Sequence, residues 1–118
     1  MTLESAISDL QETLTSARTS SNWRWLVRQR LSAVRQALSD ENFETWDGWL
    51  AARTGVADRE RRQLLARVST VGVGLLDRID SDRMAIEVRR LLADVEHYCQ
   101  RVHDLIYDSV ALEIGGSE

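Results

Sequence analysis

Trp23-Arg24-Trp25-Leu26-Val27-Arg28-Gln29-Arg30-Leu31-Ser32-Ala33-Val34-Arg35-Gln36-Ala37-Leu38 carries the pattern from which the fold can be read. Trp23, Val27, Leu31, Val34 and Leu38 recur every three or four residues. At about 100° per residue that spacing gathers them on one side of an α-helix. The other side takes arginine, glutamine and serine, and neither glycine nor proline interrupts. A strand would alternate apolar and polar residues instead. The spacing predicts a helix over 22–38 with one buried stripe.

The same logic extends in both directions. Upstream, Leu3, Ile7, Leu10, Leu14 and Ala17 form a narrow heptad stripe, which predicts a helix over 2–18 capped by Thr2 and followed by a Thr19-Ser20-Ser21 connector. Downstream, Asp40-Glu41-Asn42 interrupts the second helix. Phe43, Trp46, Trp49 and Leu50 then sit at helical spacing in a short segment, with Gly55 as its expected C-cap. A third helix is predicted over 58–79, with Leu64, Val68, Val71, Leu75 and Ile79 inward. Gly72 falls on that inward side, where a small residue would let a neighbour approach closely. After the capping cluster Asp80-Ser81-Asp82, a fourth helix is predicted over 83–114. Its stripe is Met84, Val88, Leu91, Val95, Cys99, Val102 and Ile106, and Gly115-Gly116 ends it. The expected fold is all-α: one domain over 1–118, an up-and-down bundle of four main helices plus a short Trp-rich segment after the second.

Composition agrees. There is no proline, and 43% of the residues are hydrophobic, enough to form a core without disulfides or metals at this length. Cys99 is the only cysteine, so an internal disulfide is impossible and a reducing, cytoplasmic setting is expected. The acidic, amphipathic start lacks the basic and apolar regions of a secretory signal. No apolar run approaches the ~20 residues that span a bilayer, so no membrane partner is expected.

Two imbalances bear on partners. The fourth helix would be about 48 Å long and the first about 25 Å. Either the long helix breaks, or part of it projects and packs on another copy, which makes a homo-oligomer the expected state. Charge is also uneven. Five arginines and no acid lie between Thr13 and Ser39, while ten acids oppose five arginines from Asp77 onward, in a chain of net charge −4. A basic patch for an anionic partner would give this pattern, as would a self-complementary bundle.

Several constellations could carry chemistry. Glu96, Cys99 and His103, three and four residues apart on one helix, are competent ligands for a transition metal. The pair Cys99 and His103 could also be read as nucleophile and base, but a helix interior has no free N–H groups for an oxyanion hole. Asp94 and His97 have the spacing used by di-iron carboxylate bundles. Only one such pair occurs, on the polar side. Trp23 through Arg30 interleaves aromatics with arginines, as nucleic-acid binders do. Trp46-Asp47-Gly48 resembles the W-x-G turn of small secreted helical-hairpin proteins. The acid that follows a tyrosine by four residues in that family is replaced here by Val102 and Ala111. Gly115-Gly116-Ser117-Glu118 resembles the di-glycine tail of bacterial ubiquitin-like modifiers, with Ser117 breaking the pattern.

No GxGxxG, Walker loop or nucleophile elbow is present. The expected function is a non-catalytic protein-interaction module that self-associates and needs no cofactor, binding through Trp25, Arg28, Phe43, Trp46 and Trp49. The alternatives are a small-molecule or metal site at Glu96, Cys99 and His103, which could be enzymatic, and nucleic-acid binding through the arginine-rich second helix. Trp25 lies opposite the buried stripe of its helix. Either the 43–50 segment folds back over it or a partner covers it.

Overall fold

The computed structural model describes residues 2–16, 22–41, 51–75 and 80–115. Among them it contains four helices and no strand: α1 (Leu3–Thr15), α2 (Trp23–Ser39), α3 (Ala51–Gly74) and α4 (Ser81–Gly115). The fold is all-α. None of these helices is long and apolar enough to cross a membrane.

Side-chain pairings give the directions. Glu4 faces His103, Gln11 bonds Glu96 and Arg89 reaches the Leu14 carbonyl, so α1 runs antiparallel to α4. Arg67 pairs with Asp94 and Arg101 with Glu60, so α3 also runs antiparallel to α4. Arg61 on α3 reaches the carbonyls of Leu38 and Ser39 at the end of α2. Neighbours in sequence are neighbours in space, and α1 returns to α4 to close the ring.

All five stripe residues of α2 are buried, as are Leu3, Ile7, Leu10 and Leu14 of α1. On α4 the stripe turns slightly from its expected course. Tyr98 is completely buried, Cys99 only partly so, and Ile106 is 46% exposed. Tyr98 lies three residues beyond Val95 and Val102 four beyond Tyr98, so the tyrosine takes the inward place that the apolar pattern had given to the cysteine.

Helix ends are stabilised by identifiable groups. The Thr2 hydroxyl accepts from the Ser5 amide at 3.1 Å, a conventional N-cap. The Asp80 carboxylate accepts from the Asp82 amide ahead of α4. The C-termini of α1 and α2 are capped from neighbouring helices, by Arg89 at 3.3 Å from the Leu14 oxygen and by Arg61 at 3.4 Å from that of Ser39. Each guanidinium meets orphan carbonyls at the negative end of a helix dipole. Asp58 holds Arg61 in place by accepting at 2.7 and 3.2 Å, and that hydrogen bond draws the Asp58 carboxyl below its ordinary range.

Two sequence expectations need correction. Gly55 does not cap a preceding segment: α3 starts at Ala51 and runs through it. One glycine costs a helix only about 1 kcal/mol relative to alanine, which a 24-residue helix absorbs. Gly72 does not serve close packing, since a Cβ there would meet nothing within 4 Å. The helix described as α3 ends at Gly74, before Ile79, which lies outside the described residues. Of the two alternatives for the long last helix, the structure has the unbroken one. Thirty-five residues make it about 52 Å long, and the molecule extends 60 Å along its major axis with a radius of gyration of 16.8 Å. About 13 Å would suit a compact domain of this length.

Gly55 and Gly72 lie in helical backbone with open space around an added methyl group. Gly55→Ala and Gly72→Ala should each raise unfolding stability by about 0.5–1 kcal/mol, measurable by urea titration with an unchanged m-value.

Candidate functional site

Among the described residues, the surface between α2 and α3 carries an extended concavity. Two adjoining cavities of about 290 and 360 Å³ run along it and share Ser32, Arg35 and Ser69. Leu31 and Val68 contribute to the floor of the first and Leu65 and Ala66 to the second. Arg28 and Val73 stand at one end, Gln36 and Ser39 at the other. No acid lines either cavity. Arg28 and Arg35 are exposed and make no hydrogen bond or ion pair among the described residues.

The groove follows from a second pattern in α2. Trp25, Arg28, Ser32 and Arg35, at steps of three, four and three, form an outer stripe beside the buried one. Trp25, one turn before Arg28, is 56% exposed, and Val73 across the groove end is 62% exposed. The wall supplied by α3 could not be read from its sequence. Ser69, Gly72 and Val73 gain meaning only when α3 is set beside α2. Apolar floor, donor-rich walls and an aromatic with arginine at one end suit an amphipathic acidic segment laid lengthwise.

Of the residues singled out from sequence, Arg28 lines this groove, and Trp25 lies one turn before it, outside the lining residues. Phe43, Trp46 and Trp49 lie outside the described residues, so the proposed fold-back over Trp25 falls there too.

Glu96, Cys99 and His103 are spread along the contact between α4 and α1 and are not drawn into one cluster. The Glu96 carboxylate accepts from Gln11, and His103 Nε2 lies 3.2 Å from Glu4 Oε1. Among the described residues, no group of three or more histidine, cysteine or acidic side chains is arranged to hold a metal ion. His97 is exposed, and Asp94 is engaged by Arg67 at 2.6 Å.

Cys99 sits in a poor environment for a thiolate. Burial, reinforced by the negative charges of Glu4, Glu41 and Glu96, pushes the thiol up to about 11. A low-pKa nucleophile needs nearby positive charge instead. Burial also raises the Glu41 carboxyl, with Glu4 adding to the effect and Arg61 and His103 opposing it. Tyr98 is pushed far up, first by burial and then by Glu41. Its hydroxyl is buried and has no hydrogen-bond partner among the described residues.

No protein family model matches this chain, and no curated protein or solved structure matches it either.

Two outcomes follow from the α1–α4 contact. Tyr98→Phe removes a buried hydroxyl that has no partner, and should raise stability by about 1 kcal/mol in denaturant titration. The raised thiol also sets a pH dependence. In the unfolded chain Cys99 ionises near the ordinary thiol value of 9, and in the folded protein near 11. Between those values the unfolded state binds fewer protons, so stability should fall as pH rises and be fully present below 9. Tyr98 adds to the loss at the upper end. Cys99→Ala should flatten the first part of the decline, and native Cys99 should react slowly with maleimide at pH 7.5.

Proposed function

We propose that this chain is a non-catalytic helical interaction module that takes an acidic amphipathic helix into the groove between α2 and α3. The observation that carries this reading is the pair Arg28 and Arg35, exposed and unpaired over an apolar floor, with Trp25 one turn beyond. Two cations without a paired acid among the described residues favour binding an anion there. The apolar floor and half-exposed tryptophan add the desolvated contact area that arginine alone lacks, and tryptophan with arginine is the composition of interface hot spots.

Binding by insertion of a helix requires little rearrangement. Antiparallel α2 and α3 already form the trough, and the incoming helix supplies apolar residues at steps of three and four. Rim charges steer and orient it while the floor holds it. The raised Cys99 thiol gives no support to a catalytic reading.

The test is titration of a synthetic helical peptide of alternating glutamate and leucine faces, followed by calorimetry. Binding should weaken about tenfold in the double variant Arg28→Glu, Arg35→Glu. Trp25→Ala should weaken it too while changing folding stability by no more than about 0.5 kcal/mol, as expected for an exposed side chain. Generic duplex DNA or single-stranded RNA bound equally well, with a steep loss of affinity as salt rises, would replace this reading with nucleic-acid binding.

A further inference from the structure

The four-helix body ends before α4 does. α1 starts at Leu3, and its Glu4 lies beside His103, so α1 covers α4 only up to that turn. α2 ends at Ser39, beside Arg61. Beyond these points the first turns of α3 and the end of α4 continue as a pair, held by Arg101 on Glu60. On this projecting part Ile106 is 46% and Tyr107 74% exposed. They continue the side of α4 that α1 covers one turn earlier. Asp104 and Asp108, both exposed, lie beside Tyr107 on the side of α4 toward α3 and away from Ile106. After Arg101 the sequence contains four acids (Asp104, Asp108, Glu113 and Glu118) and no arginine or lysine. The projecting end of α4 is therefore an acidic helix with exposed apolar side chains.

That is the chemistry the α2–α3 groove lacks. We infer that the groove is filled by the projecting end of α4 from a second copy of this chain, with Asp104 and Asp108 set against Arg28 and Arg35 and with Tyr107 over the apolar floor. The inference rests on the groove reading above and names its occupant. Charge decides between this contact and the simpler meeting of two projecting ends. End against end would bring two acidic α4 segments together, which like charges oppose. End in groove joins the most acidic stretch of the protein to the most basic, α2 having four arginines and no acid. The two acids are one helical turn apart and the two arginines two turns apart, about 6 and 10 Å along the axis. The longer arginine side chains span the difference by converging.

The contact joins unlike surfaces. Two copies that exchange their α4 ends close a pair with the contact made twice, and copies that do not close extend into a chain. Each contact involves only a few helical turns. It buries less than the roughly 800 Å² per partner of a standard stable interface, so association belongs in the micromolar range and is sensitive to salt.

Complementary charge reversal in the full-length chain tests this by sedimentation velocity from 5 to 500 μM (about three decades around the expected affinity), with helix content checked by circular dichroism. Arg28→Glu with Arg35→Glu should weaken association about tenfold, and Asp104→Arg with Asp108→Arg should do the same. All four changes in one chain should restore it to near the original level, a rescue that damage to the fold would not produce. A 13.4 kDa monomer across the whole range, or association indifferent to both reversals, overturns the inference. The peptide titration then decides separately. Retained binding of the acidic peptide leaves the groove reading standing with a different occupant, and loss of that binding removes both.

Discussion

α4 buries Met84, Val88, Leu91, Val95, Tyr98 and Val102 along about 27 Å of its axis, and both α1 and α3 are laid against that stretch. It fixes where the four-helix cross-section begins and ends. α1, at thirteen residues, is too short to follow α4 beyond His103. α3 is long enough to accompany it further, as the Glu60–Arg101 pair shows. The exposed end of α4, the two-helix projection and the 60 Å length all derive from one helix of 35 residues in a bundle whose first helix has 13.

Charge placement works together with that asymmetry. Basic residues in α2 are spread over its outer face, and those of α3 and α4 are largely committed. Arg61 and Arg62 engage Asp58, Arg67 engages Asp94, Arg101 engages Glu60 and Arg89 caps α1. Arg28 and Arg35 stand outside this network. Exposed ion pairs contribute little to stability, typically below about 1 kcal/mol each, so the network does less to hold the bundle than to consume charge.

The stripes of α1 and α2 were legible from sequence because each is a one-sided helix, with polar residues occupying the remaining surface. α3 was harder. Its apolar residues, from Val56 and Ala57 through Leu64, Leu65 and Ala66 to Val71 and Val73, fall on several sides. No single stripe marks its start, and Gly55 offered a false boundary. The projecting turns explain this: residues that leave the body no longer have to satisfy a four-helix core. Cys99 and Tyr98 were exchanged for a different reason. Alternating steps of four and three from Met84 lead through Val95 to Tyr98, Val102 and Leu105, and the structure follows that register; the expected stripe left it by taking two successive steps of four, to Val95 and then to Cys99. Half of the groove, Arg28 with Trp25 beside it, could be read from sequence because it lies on one helix. The other half, from α3, depended on which helices become neighbours.

The arginine caps also constrain the order in which the chain can be assembled during synthesis. Arg61 lies 22 residues from Ser39, whereas Arg89 lies 75 residues from Leu14. At ribosomal speeds of about 5–20 residues per second, α1 and α2 can pair early, yet the last carbonyls of α1 wait roughly 4 to 15 seconds for their cation. Until α4 emerges, the side of α1 that will carry Gln11 against Glu96 and Glu4 against His103 has nothing to lie on. The nascent chain passes through a stage in which three of these helices have emerged and the ring is open, because the helix that closes it follows the other three.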